Sequence, residues 1–169
     1  MIFIALGANL STKVYGSPKK CLEASLEFLH LKGVTVQKRS NWYRTAPIPR
    51  SEQPWYVNGV VQVHYDLSSL ELMSILIRTE IHFGRVRTER NEARVLDLDL
   101  IDFKGEIRKE LAIDCCPELE IPHPRLTERA FVLLPLSEIS ANWRHPLTGQ
   151  HINELISKMP SDQEIEICK

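Results

Sequence analysis

Val95-Leu96-Asp97-Leu98-Asp99-Leu100-Ile101-Asp102-Phe103 begins by alternating leucine with aspartate, and a period of two is the pattern of a strand with one apolar and one polar face. The spacing predicts a strand over 95–103 with the Asp97 and Asp99 carboxylates adjacent on one face. Gly105 is placed to turn the chain into Ile107 and its neighbours as a hairpin. Upstream, Ser68 followed by Glu71 is a capping-box start, Leu72, Met73, Leu76 and Ile77 give one apolar helical face, and Gly84 supplies a stop. Farther upstream, 34–43 and 55–65 read as strands, and Pro47, Pro49 and Pro54 make the join between them an ordered loop. Before these come an apolar first strand from Ile2 to Leu6 and a helix over 18–31 built on Leu22, Leu26 and Leu29. Strand, helix, strand, strand, helix, strand is the order of an α+β fold with a ferredoxin-like βαββαβ core and a mainly antiparallel sheet. Beyond it, a helical pattern at 129–140 carries Phe131, Leu134 and Ile139 on adjacent turns despite Pro135. A short helix from Ile152 to Ile156 follows in a C-terminal extension.

With 169 residues, 43% of them hydrophobic and 25% charged, the chain is expected to form one domain over 1–169 with a sizeable core. Lys and Arg total 21 against 22 Asp and Glu, a net charge of -1, which excludes a protein that coats nucleic acid or an anionic membrane through total charge. Any bound anion must be met by a local basic cluster. The opening apolar run is too short for a membrane span or a signal peptide, so a soluble cytoplasmic protein with no membrane partner is expected. Cys21, Cys115, Cys116 and Cys168 show no CxxC spacing and are read as reduced thiols. The segment from Gly7 to Lys13 lacks the glycine spacing of a phosphate loop, and neither HExxH nor GxSxG occurs.

Three clusters can carry chemistry. The Asp97 and Asp99 pair is either an acidic solvent face or a site for a hard divalent cation, because two like charges at that spacing need a cationic neighbour. Residues 78–94 contain Arg78, Arg85, Arg87, Arg90 and Arg94 against Glu80, Glu89 and Glu92, with no lysine. Guanidinium groups fork onto phosphate oxygens and stay charged, although pairing with the nearby glutamates would also account for them. Pro122-His123-Pro124-Arg125, followed by Arg129 and Phe131, holds an imidazole between two prolines, as a phosphate contact or a packing residue. Tyr56 and Phe131 could clasp a planar heterocycle read at its edge by Asn58, or pack in the core.

Taken in order, Gly7-Ala8-Asn9-Leu10, Tyr43-Arg44-Thr45-Ala46-Pro47, Gln53-Pro54-Trp55-Tyr56-Val57-Asn58, Gly84-Arg85-Val86-Arg87, Arg94-Val95-Leu96-Asp97-Leu98-Asp99 and Pro122-His123-Pro124-Arg125 through Leu133 resemble the 6-hydroxymethyl-7,8-dihydropterin pyrophosphokinases of folate biosynthesis. The resemblance implies transfer of pyrophosphate from ATP to the pterin hydroxymethyl group. It implies that Asp97 and Asp99 hold two Mg ions and that Arg85 and Arg94 join them as catalytic residues. Tyr56 and Phe131 would sandwich the pterin, with Asn58 and Thr45 completing its site. Glu80, Arg87, Arg94, His123 and Arg129 match nucleotide-site positions. The partners implied are small molecules, with dihydropteroate synthase as a functional neighbour and the protein itself acting as a monomer. The stretch from Asp99 to His123 is longer than usual in that family, with 109–116 as the insertion.

Overall fold

The computed structural model describes residues 1–85, 92–112, 118–160 and 162–168. Its centre is β1 (Ile2–Ala8), a strand buried on both faces. Ile2, Ile4, Leu6 and Ala8 join one apolar cluster, and Phe3 and Ala5 join a second on the other side of the sheet. Such a run can only lie between two layers of helix, because water on either face would expose apolar side chains. A large side chain buried there is worth about 1.5–3 kcal/mol.

The first cluster is closed by α1 (Pro18–Leu31) and α2 (Ser69–His82), through Cys21, Leu22, Leu29, Leu72 and Leu76. The second is closed by α3 (Ala130–Ile139) and α4 (Ile152–Ser157), through Val132, Leu133, Leu136, Ile152 and Leu155. The expected helix is present at 130–139, and the residues that mark it in sequence are not the ones it buries most deeply. Phe131, Leu134 and Ile139 are only partly buried, because the sheet meets Val132, Leu133 and Leu136 instead.

The sheet runs β5 (Asp97–Phe103), β1, β4 (Tyr56–His64), β3 (Tyr43–Thr45) and β8 (Ile165–Ile167), with β2 (Thr35–Arg39) also on β4 and every pairing antiparallel. This is the expected ferredoxin-like arrangement, with the C-terminal helices covering its second face. Two sequence expectations are corrected. The single strand over 34–43 is two strands, and the break at 40–42 lets Ser40 donate its N–H to Val60 O and accept Val60 N–H at its hydroxyl. The segment after Gly105 does not form a hairpin with the aspartate strand. It makes β6 (Arg108–Glu110), which pairs forward with β7 (Leu119–Ile121) as a separate two-stranded ribbon. The C-terminal tail, unremarkable as sequence, supplies β8.

The pairing of β1 with β5 is irregular at one point. Between β1 and β5 the register slips at Phe3/Ile4, so that Phe3 faces Asp102 while Ile4 faces Leu100 and Ile101 is the extra residue. Before the slip Asp97 and Asp99 alternate cleanly with the buried Leu98 and Leu100. After it Ile101 packs into the second cluster, and Asp102 turns to the same side to accept a 2.8 Å hydrogen bond from Trp143 Nε1. No helix among the described residues is long and apolar enough to cross a membrane.

Candidate active site

The capping box expected at Ser68 is present. The Ser68 hydroxyl accepts the Glu71 N–H, and the Glu71 carboxylate accepts the Ser68 N–H at 2.9 Å. At the other end α2 closes in a Schellman motif, in which Gly84 (φ 93°) donates its N–H to Ile81 O and Arg85 donates to Glu80 O. The motif fixes Arg85 one residue past the glycine. From there its guanidinium binds the Glu80 carboxylate and, at 2.7 Å, Asp97 Oδ1. Glu80 is 2% exposed and also accepts the Leu98 N–H at 2.8 Å, which ties helix α2 to the strand between the two aspartates.

Arg94 reaches Asp97 from the opposite side, donating to Oδ2 at 2.6 Å. Both oxygens of this carboxylate thus accept from a guanidinium. Burial and the neighbouring Asp99 charge push the Asp97 carboxyl above its usual range, and Arg94 and Arg85 pull against them. Asp99 accepts from Arg129 at 2.8 Å and lies 3.7 Å from His123 Nε2. His123 Nδ1 accepts the Arg125 N–H at 3.1 Å, which leaves Nε2 as the protonated nitrogen, turned toward Asp99. Burial, with the Arg129 and Arg125 charges, lowers the His123 pKa against the opposing pull of Asp99, so a neutral imidazole is favoured.

Arg129 sits at the N-cap of α3, with its guanidinium 5.5 Å from the centre of the Phe131 ring. The tail braces this corner, since Gln163 accepts the Ala130 N–H at 2.9 Å and donates to Glu128 O. Across the sheet, Gly7 pairs with both Asp97 and Asn58, so these two side chains flank a residue that has none. A Cβ on Gly7 would stand 2.8 Å from Asn58 Oδ1. Asn58 is 4% exposed and donates to Thr45 Oγ1 at 2.8 Å, while its Oδ1 is held over Gly7.

Above this floor opens a cleft of about 1180 Å³, whose walls include Thr45, Tyr56, Asn58, Asp97, Arg129 and Phe131. Arg94 also lines it. Residues expected from separate parts of the sequence as a heterocycle clasp and as a charged site therefore share one cavity. His123 instead lines a neighbouring hollow of about 680 Å³ between β7 and the 145–158 segment. Arg85 stands behind Asp97 as a counter-charge shared with the buried Glu80 carboxylate. Arg87, and residues 113–116 of the expected insertion, lie outside the described residues. Gly7 was not singled out from sequence as a site residue. The signal available was a glycine closing a buried strand, which becomes informative only once its cross-strand partners are known.

The Asp97 and Asp99 carboxylates offer oxygen ligands and the guanidiniums beside them suit phosphate, a combination that fits a hard cation bridged to phosphate and not a soft metal. Among the described residues no three His, Cys, Asp or Glu side chains form a ready-made metal cage. A cation held by Asp97 and Asp99 would complete its shell with water and phosphate oxygens, as magnesium commonly does.

An antiparallel sheet between helical layers, with paired carboxylates and guanidiniums beside a wide cleft, is an α+β architecture suited to metal-assisted phosphoryl transfer. Within it, residues 3–141 match the 7,8-dihydro-6-hydroxymethylpterin-pyrophosphokinase family, and the chain belongs to that family. It is 37% identical over 156 residues to the 2-amino-4-hydroxy-6-hydroxymethyldihydropteridine pyrophosphokinase of Synechocystis, covering 92% of this chain and 74% of that protein. It is 35% identical over 160 residues to the Pseudomonas aeruginosa pyrophosphokinase of the same name, covering 94% of this chain and 91% of that protein. Solved HPPK-DHPS structures share the fold: one in complex with substrates superimposes with a TM-score of 0.71 at 14% identity over 92% of this chain. The chain spans 42% of that longer polypeptide.

Proposed function

We infer that this protein transfers the pyrophosphoryl group of ATP to the hydroxymethyl group of 6-hydroxymethyl-7,8-dihydropterin and releases AMP, a step of folate synthesis. The observation that carries the reading is the union in one cleft of an aromatic and amide pocket (Tyr56, Phe131, Asn58) with a carboxylate and two arginines (Asp97, Arg94, Arg129), the second arginine holding Asp99. A flat acceptor with an amide-like edge fits the first half, and a polyphosphate with its cation fits the second. Membership of the family and the names of its members support the same assignment.

In the transfer, the pterin hydroxyl oxygen bonds to the β-phosphorus, the α–β bridging oxygen departs with AMP, and the hydroxyl proton passes to water. Phe131 and Tyr56 hold the ring plane. Asn58 Oδ1 is oriented by the Thr45 bond on the same amide, so it meets the pterin edge without first reorienting. Tyr56 stays a neutral phenol, since burial raises its pKa. Arg85, Arg94 and Arg129 turn their donors from the aspartates to the phosphate oxygens, where the developing negative charge lies. His123 offers its Nε2 hydrogen on the same side. Two magnesium ions, for which Asp97 and Asp99 would supply the protein oxygens, contribute Lewis acidity at the phosphates and the attacking hydroxyl when bound. The exchange is close to charge-neutral, because cation and polyphosphate arrive together at groups that already compensate each other.

The product would go to a dihydropteroate synthase, a neighbour suggested by the single polypeptides in which HPPK and DHPS are joined. The test is to incubate the purified protein with ATP, magnesium and 6-hydroxymethyl-7,8-dihydropterin. AMP and pterin diphosphate are expected together, and Asp97→Ala or Asp99→Ala should each remove both products without loss of the fold. No AMP above an acceptor-free control, or ADP in its place, would overturn the assignment.

A further inference from the structure

Asn9 follows β1 directly, is 3% exposed, and does not line the cleft. Its side chain nevertheless uses both ends of its amide. Oδ1 accepts the Arg94 N–H at 2.6 Å, and Nδ2 donates to Pro54 O at 3.1 Å and to Gln53 Oε1 at 3.3 Å. Its backbone joins in, since the N–H groups of Asn9 and Leu10 both donate to Arg94 O, at 2.9 and 3.1 Å. Arg94 is therefore gripped at its N–H and its carbonyl by one dipeptide. On the other side, the Tyr56 hydroxyl lies 3.3 Å from Gln53 Oε1 and 3.0 Å from Glu92 O. Asn9, Gln53, Tyr56 and the 92–94 backbone thus close a ring of hydrogen bonds that joins three separate stretches of chain.

We propose that Asn9 is a positioning residue for the transfer, fixing the pterin-side loop (through Gln53 and Pro54) and the phosphate-side Arg94 in one register. Arg94 on one side and Gln53 and Pro54 on the other lie in segments that have little regular structure of their own, 92–96 and 46–55, the second leading directly into Tyr56 at the start of β4, and a buried amide is the group that can accept from one and donate to the other. A buried polar side chain with all three bonds made is held in a single rotamer, so it transmits position instead of averaging it. The loop carrying Asn9 also stacks Tyr15 on Phe83, centroids 4.2 Å apart, next to the Gly84 and Arg85 turn. It therefore touches the supports of both arginines that hold Asp97.

This inference rests on the pyrophosphokinase reading and separates from it in one set of assays. Asn9→Asp keeps the acceptor for the Arg94 N–H but loses both donors and sets carboxylate oxygen against Pro54 O. Asn9→Ala loses both sides. Steady-state kinetics with wild type, Asn9→Asp, Asn9→Ala and Gln53→Ala should give a split. Asn9→Asp and Gln53→Ala raise the pterin KM about tenfold with ATP KM and kcat within about twofold, and Asn9→Ala also lowers kcat by about tenfold or more. A merely structural role would lower the active fraction, and so kcat, in every variant in step with its melting temperature, leaving both KM values unchanged. That result, or wild-type kinetics throughout, overturns the proposal while leaving the activity established by the wild-type control. Should the Asn9 variants fail to fold, Gln53→Ala decides on its own: an unchanged pterin KM refutes the link. A wild type that makes no AMP overturns both.

Discussion

Gly7 lies between Asn58 and Asp97 in the sheet, and the missing Cβ is what leaves room for Asn58 Oδ1 over the strand. Its backbone is extended and any residue could adopt it, so the demand for glycine is one of contact distance alone. A contact of 2.8 Å forces the amide to move, and the amide is where the pterin edge would be read. Gly7→Ala is expected to raise the pterin KM by about tenfold while ATP KM changes little, as steady-state assays varying each substrate would report. An unchanged pterin KM would mean that Asn58 does not need its observed position. The charged residues make the complementary point. Asp97 and Asp99 could be recognised in sequence as needing a cationic face, but which arginines supply it depends on contacts spanning from three residues to thirty, from Arg94 to Asp97 and from Asp99 to Arg129.

Among the elements, those with local determinants were legible. Helix α1 spans Pro18–Leu31 as its leucine spacing predicts, and α2 starts at the Ser68 cap and ends at the Gly84 stop. The cap should be separable from function. Ser68→Ala removes an N-cap acceptor, with an expected cost of about 1 kcal/mol and a fall of roughly 2–4 °C in melting midpoint, and kcat unaltered. Thermal unfolding and turnover on one preparation check both halves, and a loss of kcat would show that the helix start reaches the site. Elements defined by partners far away in sequence were less legible. Nothing in Arg108–Glu110 says that it pairs with Leu119–Ile121 and not with the preceding strand, and a three-residue tail strand acquires its role only from the free edge of β3. The buried face of α3 is not legible for the same reason: with apolar residues all round this helix, periodicity does not choose a side, and the sheet does.

At the level of the whole molecule, a ferredoxin-like sheet closed by a second helical layer gives the cleft rigid walls, and the C-terminal segment holds that layer in place. His145 is part of this brace. It is 7% exposed, its Nδ1 accepts the N–H groups of Leu147 and Thr148 at 3.2 and 3.3 Å, and burial lowers its pKa although Asp102 pulls upward. A histidine kept neutral by the fold binds its proton more readily when unfolded. Its contribution to stability is therefore complete above the ordinary value of 6.5 and is lost as pH falls through the lowered folded value. Denaturant titrations between about pH 7.5 and 5 should show stability falling with acidity. The fall should be shallower in His145→Asn, whose amide oxygen can accept the same N–H groups without titrating. His123, with its pKa lowered too, keeps a residual slope of the same sign. Equal slopes in the two proteins would remove His145 from the account.

The near balance of charge across the chain, -1 in total, conceals a local order in which carboxylates and guanidiniums compensate each other until a polyphosphate and its cation replace those contacts. The central claim is that the bond broken lies between the α- and β-phosphates. ATP radiolabelled at the β-phosphorus, supplied with magnesium and 6-hydroxymethyl-7,8-dihydropterin, tests it most directly. The label should move into the pterin product while unlabelled AMP appears in equal amount. Label recovered in ADP, with a pterin monophosphate beside it, would contradict the account.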